Sequence, residues 1–72
     1  MPDNAKSTRD FLEQIRNASA EELTQRLAHI QEALFNLRFR LASGQIEDPK
    51  RVRKYRKAIA RIRTIQKERG LI

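Results

Sequence analysis

Leu23, Leu27, Ile30, Leu34, Leu37 and Leu41 recur at intervals of 4, 3, 4, 3 and 4 residues. That interval pattern puts two apolar side chains in every seven on one stripe of an α-helix and is incompatible with the period of two that a strand requires. Punctuation bounds the stripe on both sides. Ser19-Ala20-Glu21-Glu22 reads as a capping box: the Ser19 hydroxyl accepts from the Glu22 backbone N–H, and the Glu22 carboxylate reaches back to Ser19. At the other end Gly44 suits the left-handed residue that follows a helix, so the spacing predicts a helix over about 20–43.

A second long helix follows almost at once. Asp48 is a good N-cap and Pro49 suits the first helical position, where a missing N–H costs nothing. Val52, Tyr55, Ile59, Ile62 and Ile65 continue at helical spacing, and Gly70 is the stop signal, so this helix is expected over about 49–69. Two long helices separated by a short turn fold back on one another as an antiparallel coiled-coil hairpin. Ahead of them, Ser7 or Thr8 can cap a short helix over about 7–17 that carries Phe11, Leu12 and Ile15 on one side. It is expected to pack across the open end of the hairpin. The expected fold is therefore all-α, one helical domain over 1–72, with 1–6 disordered; no alternating run suggests a strand.

A chain of 72 residues buries a thin core and needs regular helix packing, a cross-link or a partner to hold it. There is no cysteine, which excludes disulfides and thiolate metal sites, and the one histidine, His29, makes no metal site by itself. His29 reads as a partly exposed helix residue. The formal charge is +7, from 16 Lys and Arg against 9 Asp and Glu. It is not evenly spread. Residues 1–19 carry three acids and three bases, as do residues 20–43, whereas residues 44–72 carry ten bases against Glu47, Asp48 and Glu68. The whole excess lies in the last segment, and an excess confined to one element suggests a binding face for a polyanion.

On a wheel centred on Ile59, Val52, Tyr55 and Ile62 fall within roughly 60° of it. Lys50, Arg53, Lys54, Lys57 and Arg61 fall on the far side, and Arg56, Arg63 and Lys67 line one flank. Few acids offset these bases at i±4, so the face lacks the mixed signs of a helix that merely faces water. Nucleic acid is the leading partner, with phosphate contacts setting affinity and position. Membrane binding needs a large free apolar face, which the hairpin uses internally. No run approaches the roughly 18 apolar residues of a membrane span. The N-terminus, Met-Pro-Asp-Asn-Ala-Lys, has no apolar core following it, so it reads as no secretory signal and the chain as cytosolic.

Phe35 and Phe39 lie roughly 100–140° off the leucine stripe. The first reading is that they widen the core and cover Tyr55 and Val52 from the side. The second is an exposed strip that docks on protein or stacks on a base, and Arg38 and Arg40, which bracket Phe39, fit an edge in contact with RNA. No nucleophile–base set and no glycine-rich phosphate loop occurs, and cations turned outward cannot line a pocket for a small anionic substrate. The chain is thus read as no enzyme, with no cofactor, metal or small-molecule substrate.

Two blocks carry a family resemblance: Glu32-Ala33-Leu34-Phe35-Asn36-Leu37-Arg38-Phe39-Arg40-Leu41-Ala42-Ser43-Gly44-Gln45-Ile46-Glu47-Asp48-Pro49, and Arg51-Val52-Arg53 followed by Lys57-Ala58-Ile59-Ala60-Arg61-Ile62-Arg63-Thr64. Together they resemble the signature of the bacterial large-subunit ribosomal protein twenty-nine family, over about residues 7–69. The resemblance implies a structural constituent of the cytoplasmic large ribosomal subunit that binds rRNA near the peptide tunnel exit, beside ribosomal protein twenty-three. That neighbourhood also receives the signal recognition particle and trigger factor. The matching positions it implies for rRNA contact are Arg38, Phe39, Arg40, Gln45, Arg51, Arg53, Arg56, Lys57, Arg61, Arg63 and Thr64; the wheel adds Lys54. The family often has Gln where Arg40 stands and Asn where Asp48 stands, and its N-terminus is shorter. Without the resemblance, the alternative is a free coiled-coil interaction protein or a nucleoid-type DNA-binding hairpin.

Overall fold

The computed structural model describes residues 7–45 and 49–72. Expectations for residues 1–6 and for Asp48 as a helix cap lie outside these. Three helices follow one another: α1 (Thr8–Arg16), α2 (Ala20–Ala42) and α3 (Lys50–Glu68). There is no strand among the described residues. α2 packs along α3 as a hairpin, and α1 packs against α3 at the hairpin's open end.

Local chemistry sets the helix ends. Ser7 caps α1, its hydroxyl accepting from the Asp10 N–H at 3.2 Å. Ser19 caps α2 and accepts from the Glu22 N–H at 3.1 Å; its own hydroxyl proton goes to the Glu22 carboxylate at 3.2 Å. The expected capping box is therefore present, with the carboxylate held by the Ser19 side chain. α2 and α3 close in the same way. Gly44 and Gly70 adopt φ of 77° and 72°. The Gln45 N–H donates to the Arg40 carbonyl at 2.9 Å and the Gly44 N–H to Leu41 at 3.1 Å, which together form a Schellman turn. Leu71 to Gln66 at 2.8 Å and Gly70 to Lys67 at 3.0 Å repeat it after α3. Pro49 stands at the cap position of α3, one residue before where the sequence put it in the helix. Its backbone is already right-handed helical and its carbonyl accepts from Arg53 at 3.3 Å, so the first turn forms around it.

The core joins all three helices. Phe11, Ile15, Leu23 and Ile62 are wholly buried, and Ile30, Leu34, Ala58, Ile59 and Ile65 extend the cluster. Leu27, Val52 and Tyr55 are half-buried against it. The buried stripe of α3 consists of Ala58, Ile59, Ile62, Ile65 and Gln66. On a helical wheel its centre lies roughly 60° from Ile59, toward Ala58 and Ile65. The shift has a cause that the hairpin alone does not supply: α1 covers that side of α3 as well.

Two side-chain links fix α1 in place. Arg26 of α2 donates to the Gln14 amide oxygen at 3.2 Å. Arg69, just past α3, donates to the carbonyls of Ala18 at 2.6 Å, Arg16 at 2.7 Å and Ile15 at 3.4 Å. The Arg16 carbonyl ends α1 and the Ala18 carbonyl lies just past it, while the Ile15 carbonyl also accepts from the Ala18 N–H at 3.3 Å; a planar fork of donors suits such a cluster of helix-end acceptors. Because α1 lies along one side of the hairpin, the other side stays open.

Candidate nucleic-acid interface

Phe35 and Phe39 are on the open side, 71% and 66% exposed. This corrects the reading that they widen the core over Tyr55 and Val52. At roughly 100–140° from Leu34 they point past the edge of α3, and no third element among the described residues stands there to receive them.

Between α2 and α3 on that side runs a groove of about 470 Å³. Leu34 and Ile59 form its floor, and Phe35 and Ala60 its walls. Gln31 and Arg38 stand at the two corners on α2, and Arg56 and Arg63 at the two on α3. The two helices contribute the same spacing, 31-34-35-38 against 56-59-60-63, as an antiparallel pair of stripes must. Among the described residues no carboxylate lines the groove.

The basic residues of α3 continue outward from it. Arg53, Lys57 and Thr64 lie opposite the buried stripe and are exposed. Lys54 is exposed on the flank away from the groove, where Arg61 is half-buried. With the described residues, the side chains of Arg51, Arg53, Lys54, Arg56, Lys57, Arg61 and Arg63 form no hydrogen bond or ion pair; the ion pair found is Arg9 to Glu13 at 3.9 Å within α1. Unpaired cations on one rigid helix repel each other and are stabilised by an external anion.

The twelve residues expected at the RNA do not form one plane. Arg38 and Phe39 share the open side with Arg56 and Arg63, while Arg53, Lys57 and Thr64 occupy the adjoining outer face of α3. Arg40 falls on the other flank of α2 by the wheel, and Arg51 and Gln45 are exposed near the hairpin's closed end. The Thr64 hydroxyl donates to the Ala60 carbonyl at 2.8 Å, which leaves its lone pairs outward and its proton engaged. His29 is exposed on α2.

The sequence left Phe35 open between core and exposed strip and gave it no place among the expected RNA contacts; it belongs to the groove wall, and the small Ala60 facing it left no local signal. Arg69 counted among the ten bases of the last segment, yet it is spent on α1. Its acceptors lie more than fifty residues away, so nothing local signals them. Among the described residues no group of His, Asp or Glu could hold a metal ion, and no helix is long and apolar enough to cross a membrane.

The family described as Ribosomal L29 protein matches residues 13–69. The chain belongs to the ribosomal L29 family. Curated relatives carry the name large ribosomal subunit protein uL29. One from Caldanaerobacter subterraneus subsp. tengcongensis is 55% identical over 58 residues, covering 81% of this chain and 88% of the relative. One from Thermoanaerobacter sp. (strain X514) is 53% identical over 58 residues, covering 81% and 84%. One from Exiguobacterium sp. is 51% identical over 57 residues, covering 79% and 85%. No solved structure matches the chain. As a member of the L29 family this chain is a structural protein and not an enzyme.

Proposed function

We propose that this chain is a constituent of the large ribosomal subunit in the cytoplasm, where it binds rRNA through α3 and lies near the peptide tunnel exit, beside ribosomal protein twenty-three. The reading rests on the exposed bases of α3, Arg53, Lys54, Arg56, Lys57 and Arg63, which have no partner among the described residues and stand on a helix backed by one of neutral net charge. The names of the relatives and the family match point to the same particle. Phosphate contact is assigned to Arg53, Lys54, Arg56, Lys57, Arg61 and Arg63, with Arg38, Phe39, Arg40, Gln45, Arg51 and Thr64 at the margins. Contact with the signal recognition particle or trigger factor would follow from that position.

The test is a charge-reversed chain, Arg53→Glu with Lys57→Glu and Arg61→Glu, expressed beside the wild type. We expect it to stay helical and to be missing from large subunits on a magnesium-containing gradient. Normal incorporation would refute the assignment. A free homodimer or DNA-bound wild-type chain would favour the coiled-coil or nucleoid alternative.

A further inference from the structure

We propose that the groove between α2 and α3 receives one unpaired nucleotide of the bound RNA, its base stacked on Phe35 over Ala60 and its phosphates held by Arg38, Arg56 and Arg63. This rests on the rRNA-binding role proposed above and adds a mode of contact that phosphate binding alone does not include.

Shape is the first support. The floor is apolar and the Phe35 ring forms one wall, while Ala60 on the facing helix leaves a notch where a larger side chain would fill the space. The groove spans Gln31 to Arg38, seven residues of helix, or roughly 10 Å at 1.5 Å per residue. That length accommodates a nucleotide or two and excludes a duplex. A flat ring with two apolar faces fits between a phenyl face and a methyl-lined notch.

Charge is the second. Three of four corners carry guanidinium groups, with no carboxylate of the described residues between them. The occupant must therefore bring negative charge at both ends of an apolar body, as a base between its two backbone phosphates does. An acidic peptide could bring the same combination, but continuity favours RNA. Arg56 and Arg63 serve the groove and also border Arg53 and Lys57 on the outer face of the same helix. A strand of phosphates can leave the groove and continue along that face without a break.

Exposure is the third. Phe35 is 71% exposed, poorly covered by the described residues, and stands beside three cations that have no partner among them; stacking on every type of base is open to its ring.

The experiment uses the full chain with two RNA probes, a single-stranded adenosine hexamer and a 12-base-pair duplex, at one low salt concentration. Phe35→Ala and Ala60→Leu should each weaken hexamer binding about fivefold or more and change duplex binding less than about twofold. Phe35→Trp should retain hexamer affinity, and its indole, the chain's sole tryptophan, should be quenched by the hexamer and not by the duplex. Equal losses on both probes, or no loss on either, would overturn the stacked base. So would unchanged RNA binding by Phe35→Ala together with release of a neighbouring protein from assembled subunits, which would make the groove a protein dock. Should the wild type bind neither probe while Arg53→Glu with Lys57→Glu and Arg61→Glu still enters subunits, the underlying rRNA role itself fails.

Discussion

The Arg69 guanidinium donates to the Ala18 carbonyl at 2.6 Å, joining residues 51 apart in sequence. With its second bond to Arg16 at 2.7 Å it closes the open end of the hairpin over α1. We expect Arg69→Ala to lower stability by about 1–3 kcal/mol, the range for charge-assisted bonds whose acceptors are left unpaired. Arg69→Lys keeps the charge and loses the fork, so it should fall between. Thermal unfolding followed by circular dichroism at 222 nm separates these (roughly 4–8 °C per kcal/mol for a chain of this size).

The Ser19 cap makes a smaller and more local contribution. Ser19→Ala removes the acceptor for the Glu22 N–H and the donor to its carboxylate. A loss of about 1 kcal/mol is expected, and Ser19→Asp should restore most of it by keeping the acceptor. Chemical denaturation checks this: a lower midpoint at an unchanged m-value would show a loss of stability with the same surface exposed on unfolding, and an unchanged midpoint would show that the cap contributes nothing.

Gly44 is a second local test. Its φ of 77° is costly for any residue with a Cβ, although nothing lies within 4 Å of where that atom would stand. Gly44→Ala should thus destabilise by about 1 kcal/mol through strain alone, and Gly44→Asn by less. Equal stability of wild type and Gly44→Ala would show that the turn relaxes.

Core and groove should separate cleanly. Ile62 is wholly buried and Phe35 is 71% exposed. Ile62→Ala is expected to cost about 2–5 kcal/mol, a large share of what a fold this small has. Phe35→Ala should stay within about 0.5 kcal/mol of wild type. A large destabilisation by Phe35→Ala would mean that the ring is covered in solution.

These pairs also mark what the sequence disclosed. Leu23 through Leu41 announce α2 because packing, period and caps agree, and each is a local signal. The asymmetric charge was equally legible, since counting requires no geometry. The choice between core and exposed strip for Phe35 was not, because it depends on which side of the hairpin α1 takes. The same fact rotates the buried stripe of α3 from Ile59 toward Ala58 and Ile65, half-buries Arg61, and brings Arg56 and Arg63 to the groove. Arg69 looks like its basic neighbours until its acceptors in the α1 turn are seen. Long-range packing of a nine-residue helix leaves little trace in the periodicity of the helices it covers.

RNA affinity should depend steeply on salt. If Arg53, Arg56, Lys57, Arg61 and Arg63 each neutralise a phosphate, log K against log salt falls with a slope of about −3.5 to −4.5. Replacing Arg53 with Gln should make the slope about one unit shallower. A slope near zero would exclude phosphate contact as the driving term.

The proposed binding mode puts the outer face of α3, and not that of α2, on RNA. A photocrosslinking residue placed at Lys57 of α3 or at Gln25 of α2, both exposed, tests this in intact large subunits. We expect crosslinks to rRNA from position 57 and few or none from position 25. Crosslinks to RNA from position 25 with none from position 57 would contradict it.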